Sequence, residues 1–195
     1  MSPDTAEAVA AIARGEVVAL PTDTVYGLVC DPANPAAVER VYLLKRRPAT
    51  LELTLLAPDS AALDGLVTWT PTARRLAAQL WPGALSIILP VGPRHLAIPR
   101  AGTTVSARVP DDIALRRLLA RTGPLASTSA NRHGSPAALD AAQVRAEFGA
   151  EIAHVLAGGS LGGVASTIID CSVAPPRVVR EGPIDGQRLA ALLRD

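Results

Sequence analysis

Val17-Val18-Ala19-Leu20-Pro21-Thr22-Asp23-Thr24-Val25-Tyr26-Gly27 joins a compact apolar run to a polar turn. Four apolar residues stopped by proline read as a buried strand, since a helix would need a longer run and a wider period. Residues 21–27 are then a loop at the carboxyl end of a strand, the place where open α/β sheets bind ligands. Upstream, Asp4-Thr5-Ala6-Glu7 has the spacing of a capping box, and Gly15 closes the short amphipathic helix that it starts. Downstream, Asn34-Pro35 supplies an N-cap followed by proline at the first helical position. The helix that follows carries Val38, Val41 and Leu44 on one face and delivers Lys45 and Arg47 at its end.

The remaining chain alternates in the same way. Residues 51–56 read as a strand, Thr70-Pro71 caps a helix that ends at Trp81-Pro82-Gly83, and residues 85–89 and 103–109 are strand-like. A helix over 111–121 leads to the short strand 125–127, which runs into Ser129-Ala130-Asn131. A helix over 141–148, a strand, a glycine cluster at 158–163, the strand 166–171, the apolar pair before Arg180 and a last helix from Asp185 complete the order. With no internal repeat and no composition break, residues 1–195 read as one α/β domain, a twisted mixed sheet flanked by helices.

Composition bounds the function. The 195 residues are enough for a real core, and 19 basic against 18 acidic residues leave a net charge near zero. Such a balance argues against a protein whose main task is gripping nucleic-acid backbone, though not against a local basic pocket. Cys30 and Cys171 lack metal-ligand spacing and read as buried small hydrophobes in a reducing compartment. No signal-like leader and no membrane-spanning run are visible, so a cytoplasmic protein without membrane contact is expected. One lysine stands among the basic residues, all others being arginine. In a chain so rich in arginine and alanine, a lysine kept only for solubility would tend to drift away. A compact ammonium beside Arg47 suits phosphate or carboxylate binding, where the two groups do different work. The plain alternative is a helix-end charge favoured by the macrodipole.

Polar segments at strand ends supply the chemistry. They are residues 22–26, 45–47, 127–131 and Ser166-Thr167, with Arg108 and Arg180 at the ends of two further strands. Hydroxyls, an amide and several cations, with no carboxylate pair and no His/Cys nucleophile, stabilise negative charge and do not perform covalent catalysis. Each serine or asparagine taken singly could equally be a cap or a turn residue. The glycine cluster could cradle an anion, but a turn is the simpler reading. His95, His133 and His154 are dispersed, so no metal site is read from them, and Asp23 suits an Asx-turn better than a magnesium ligand. Trp69 and Trp81 are expected to pack at the core edge.

Seven blocks together resemble the YrdC/Sua5 family. They are Pro-Thr-Asp-Thr-Val-Tyr-Gly-Leu at 21–28, Lys-x-Arg-Pro at 45–48, Trp-Pro-Gly at 81–83, Thr-Val-Ser-Ala-Arg-Val-Pro at 104–110, Ser-Ala-Asn at 129–131, Ser-Thr-Ile-Ile-Asp at 166–170 and Val-Val-Arg-Glu-Gly at 178–182. The resemblance implies a wide basic cavity and L-threonylcarbamoyladenylate synthase activity. L-threonine, bicarbonate and ATP would give threonylcarbamoyl-AMP and pyrophosphate, with Mg2+ held mainly through the ATP phosphates. The product would pass to the tRNA threonylcarbamoyl-transfer machinery for t6A modification of adenosine 37, with weak or no direct tRNA binding by this chain. By the same resemblance Thr24, Arg108, Ser127 and Ser166 would hold threonine. Lys45, Arg47, Thr104, Ser129, Asn131 and Arg180 would hold the nucleotide, with Lys45 and Arg47 catalytic. The chain is expected to be the short form, without a further C-terminal domain. It departs from many members at Leu51, Leu56 and Ala165, where polar residues are common. Two other readings are a non-catalytic RNA-binding module of the same fold and a paralogue with an altered carbamoyl-transfer substrate. Near-neutral charge and few aromatics count against the former.

Overall fold

The computed structural model of the chain describes residues 2–46, 53–98, 103–158 and 161–194. Helix α1 (Pro3–Ala13) starts earlier than the capping-box reading places it: Ser2 is the N-cap, and its Oγ accepts from Thr5 N at 3.2 Å. Proline at the first helical position favours that start, because its missing N–H would have no helical partner there. Asp4 is released from capping. It accepts from the Ala157 amide at 3.0 Å and pairs with His154 Nε2 at 2.8 Å.

Strand β1 (Val18–Pro21) lies where the apolar run predicts it. The turn after it does not lead to a helix. Tyr26-Gly27-Leu28-Val29-Cys30 is itself a strand, β2 (Tyr26–Cys30), paired antiparallel with β1, so residues 22–25 are a hairpin connection. Thr22 knits this connection: its Oγ1 donates to Val25 O at 2.7 Å and accepts from the amides of Thr24 and Val25 at 3.1 and 3.3 Å. A buried turn needs such pairing because its backbone groups are out of reach of water.

Helix α2 (Pro35–Lys45) is capped by Asn34, and strand β3 (Thr54–Leu56) follows, the earlier part of the expected strand lying outside the described residues. Helix α3 (Pro71–Leu80) is capped by Thr70 and leads to β4 (Leu85–Pro90) and β5 (Thr104–Arg108). Helix α4 (Ile113–Thr122), capped by Asp112, precedes β6 (Leu125–Ser129). The chain continues through α5 (Ala141–Phe148), β7 (His154–Val155), β8 (Thr167–Asp170), β9 (Arg177–Arg180) and α6 (Gly186–Arg194).

The described strands form one mixed sheet in the order β7-β1-β2-β6-β3-β5-β4-β8-β9. The β1–β7, β3–β5 and β4–β8 pairs are parallel and the others antiparallel. Alternation along β1 divides the core: Ala19 joins the large cluster with Leu28, Val38, Leu55 and Ile87, while Val18 and Leu20 face α1 and α4. Leu20 and Leu28 are fully buried, and each such side chain contributes about 1.5–3 kcal/mol relative to exposure. Trp69 and Trp81 meet edge to face at 6.0 Å and pack against the large cluster. Cys30 and Cys171 are buried unpaired thiols, as the sequence predicts. No helix among the described residues is long and apolar enough to cross a membrane.

Candidate active site

The hairpin connection, the end of α2 and the strands β3, β4, β5, β6, β8 and β9 enclose a cavity of about 530 Å³. Thr24, Lys45, Arg108, Ser127, Ser129, Asn131, Ser166 and Arg180, separated by up to 156 positions in sequence, all line it. Among the described lining residues there are three permanent cations, Lys45, Arg108 and Arg180, and no carboxylate.

Lys45 is the last residue of α2 and only 3 % exposed. Its Nζ donates to Ser129 O at 2.6 Å, Asn131 O at 2.7 Å and Asn131 Oδ1 at 3.0 Å. The ammonium therefore clamps the end of β6 against the helix while its charge faces the cavity. Ser129 Oγ donates to the same Asn131 Oδ1 at 2.6 Å, and the Asn131 amide donates to the carbonyls of Arg132 and Ser135 at 2.9 and 2.6 Å. His133 N returns the clamp to Lys45 O at 2.8 Å.

Arg108 ends β5 inside the wall. Its Nε donates to Gly83 O at 2.9 Å and its Nη1 to Thr24 Oγ1 at 3.1 Å, and Nη2 pairs with Asp23 Oδ1 at 2.6 Å. Asp23 Oδ2 also accepts from Asp111 N at 3.1 Å, so in place of the expected Asx-turn this carboxylate is the counter-ion that orients Arg108. Burial pushes the Arg108 pKa down and Asp23 opposes it; arginine stays charged throughout. Arg180 Nε and Nη2 donate to Ser166 O at 3.0 and 2.8 Å, and Nη2 also reaches Ser166 Oγ at 3.2 Å. Partial burial and then the charge of Arg108 lower the Arg180 pKa. Two guanidiniums that repel one another across a cavity wall form a site for an anion.

Arg47 and Leu51 lie outside the described residues. Thr104 opens β5 opposite Pro90 and is not among the cavity-lining residues; Arg108, at the other end of the strand, is the β5 residue that lines it. Leu56 and Ala165 both line the cavity and add apolar surface. Gly163, at φ +79°, also lines it, and its amide is spent on Thr24 O at 3.1 Å; residues 159 and 160 of the glycine cluster lie outside the described residues. Ser86 and Thr54 line the cavity as well, and no local sequence signal marks either of them. The described residues hold no group of three His, Cys, Asp or Glu side chains suited to a metal.

This architecture has known relatives. Residues 10–182 match the Sua5/YciO/YrdC family, described as telomere recombination. The threonylcarbamoyl-AMP synthase of Chromohalobacter salexigens is 41 % identical over 170 residues, covering 85 % of this chain and 91 % of the relative. The structure of Pyrococcus abyssi Sua5 complexed with L-threonine is similar with a TM-score of 0.87 and 35 % identity. That match covers 95 % of this chain and 56 % of the other, so the chain spans little more than half of that relative. The E. coli YciO structure matches at TM-score 0.84 and 30 % identity, over 93 % of this chain and 90 % of the other. The family match runs from before β1 to just past β9 and so takes in every strand that walls the cavity: the chain belongs to the Sua5/YciO/YrdC family.

Proposed function

We propose that this chain is an L-threonylcarbamoyladenylate synthase, joining L-threonine, bicarbonate and ATP with release of pyrophosphate. The observation that carries the reading is the cavity wall with Lys45, Arg108 and Arg180 and no carboxylate. The synthase name of the Chromohalobacter relative and the threonine complex of the Pyrococcus relative support it. The threonine amine and bicarbonate condense to a carbamate with loss of water. A carbamate oxygen then attacks the α-phosphorus of ATP, and pyrophosphate leaves. The nucleophile comes from the substrates, so the protein's tasks are alignment and neutralisation of developing charge.

Thr24, Arg108, Ser127 and Ser166 hold the amino acid in this reading, while Lys45, Arg47, Thr104, Ser129, Asn131 and Arg180 serve the nucleotide. Mg2+ would be held mainly through the ATP phosphates, which suits a described lining without a carboxylate and an Asp23 already paired with Arg108. When bound, the metal supplies charge neutralisation on the phosphates. Exclusion of bulk water once the substrates fill the cavity would protect the carbamate and the mixed anhydride. The product passes to the t6A machinery for tRNA.

A second reading has one observation of its own. Leu56, Ala165 and Ile168 make part of the cavity apolar, which suits a paralogue with an altered carbamoyl-transfer substrate. One assay separates the two: pyrophosphate release with ATP, magnesium, bicarbonate and each of several amino acids. Release that needs all components and prefers L-threonine over L-valine is expected, because a site built around a substrate hydroxyl rejects the analogue that lacks it. Equal turnover with valine, or none with threonine, overturns the synthase reading.

A further inference from the structure

Two hydroxyl chains in the cavity wall begin at arginines, and counting donors and acceptors limits where their protons can point. On the hairpin side, Arg108 Nη1 donates to Thr24 Oγ1. Thr22 Oγ1, 3.0 Å from Thr24 Oγ1, already accepts two amides and spends its own proton on Val25 O. A hydroxyl oxygen has two lone pairs, so Thr22 has little left to accept with, and the Thr24 proton is directed to the cavity. Beside β4, β8 and β9, Arg180 Nη2 donates to Ser166 Oγ, which lies 2.9 Å from Ser86 Oγ. Each hydroxyl of that pair has one proton, and the contact between them uses only one of the two. The described residues offer neither oxygen another side-chain partner. Ser86 is 2 % exposed, sits on β4 between Leu85 and Ile87, and lines the cavity. A buried O–H donor held in a polar wall is costly unless an acceptor meets it.

We propose that Ser86 is a substrate-binding residue: with Ser166 it forms a hydroxyl pair that, together with Thr24, donates to the carboxylate oxygens of the bound amino acid. The arginines act from behind. By donating into Thr24 and Ser166 they turn those hydroxyls into stronger donors, and a planar anion with two acceptor oxygens matches donors from two hydroxyl groups lining one cavity. The triphosphate of ATP carries similar anionic oxygens; Lys45 clamps the end of β6, and Arg180 can serve the triphosphate while its Nη2 donates into Ser166. KM for ATP measured beside KM for threonine therefore reads which ligand the serine pair meets.

The inference rests on the synthase reading, and its test separates the two. L-threonine binding is measured by calorimetry on wild type, Ser86→Ala and Ser86→Thr, together with KM for threonine and for ATP in pyrophosphate release. Ser86→Ala should weaken threonine binding and raise its KM by about tenfold, the loss of one hydrogen bond to a charged group, while KM for ATP stays within about twofold and the melting temperature holds. Ser86→Thr, which keeps the hydroxyl, should restore most of the affinity. A wild type that binds threonine and a Ser86→Ala variant that binds it equally well overturn the serine pair alone, as does equal weakening of threonine and ATP. A wild type with no threonine-dependent pyrophosphate release overturns the functional reading beneath it.

Discussion

Lys45 shows how one side chain serves both fold and site. Its ammonium converges on three oxygens within 2.6–3.0 Å, a geometry that a point-like donor meets and a planar guanidinium does not. Lys45→Ala should therefore lower turnover by about tenfold or more and cost about 1–3 kcal/mol of stability, because buried carbonyls lose their partner; urea denaturation and steady-state kinetics check both. Lys45→Arg should restore the charge but not the rate. An unchanged rate in Lys45→Arg would reduce the residue to a helix-end charge. Asp23 is the counterpart on the other wall. Its ion pair with Arg108 is nearly buried, the two side chains being 13 % and 6 % exposed. Removing one member of such a pair leaves an uncompensated charge, so Asp23→Ala should destabilise by about 3–5 kcal/mol. Thermal melts of Asp23→Ala beside wild type decide it, and a shift within error would mean that water already solvates Arg108.

At the scale of elements, the cavity depends on how closely the segment after β9 returns to β8. A Cβ added at Gly182 would stand 2.4 Å from Thr167 N and 2.5 Å from Ala165 O, both backbone atoms that cannot step aside cheaply. Gly182→Ala should push the start of β8 outward, displacing Ser166 and its contact with Arg180, at a cost of about 1–3 kcal/mol. The matching kinetic signature is a raised KM for threonine, and a variant with wild-type melting and KM would show that the segment relaxes without moving the wall. The same level explains what was legible in the sequence. Asn34-Pro35 and Thr70-Pro71 mark their helices because capping is a local signal. Strand β2 was hidden: all five residues are buried, so no alternation distinguishes it from a loop rich in motif residues. Eight of the ten residues assigned to ligands meet at the cavity because polar motifs at strand ends are brought to one place by the sheet. The Asp23–Arg108 pair and the Ser86–Ser166 pair were not legible. Each joins residues about eighty positions apart, and a single serine inside an apolar strand carries no local signal beyond its own polarity.

For the whole molecule, the use of arginine in place of lysine has a thermodynamic consequence. Arginines do not titrate below about pH 12, so a chain with one lysine, two tyrosines and two cysteines has few groups that change charge between pH 8 and 11. Both thiols are buried, and burial pushes each up to about 12, with Asp31 adding to the effect at Cys30 and Asp170 at Cys171. Burial likewise raises Tyr26. A thiol in the unfolded chain titrates near about 8.5. The folded state therefore holds its protons more tightly than the unfolded one, and the stability this represents is fully present below the unfolded value. It is lost as pH rises from there toward 12, at a slope of up to about 1.4 kcal/mol per pH unit for each thiol. Urea midpoints measured from pH 7 to 11 should be flat up to about pH 8 and then fall, whereas the Cys30→Ala, Cys171→Ala double variant should start lower, because it loses packing, and fall less steeply. Native protein should also resist thiol reagents at pH 8 that label the unfolded chain at once. Parallel slopes for the two proteins, or rapid labelling of both thiols in the native state, would mean that the core around β2 and the end of β8 opens to water far more readily than its packing implies.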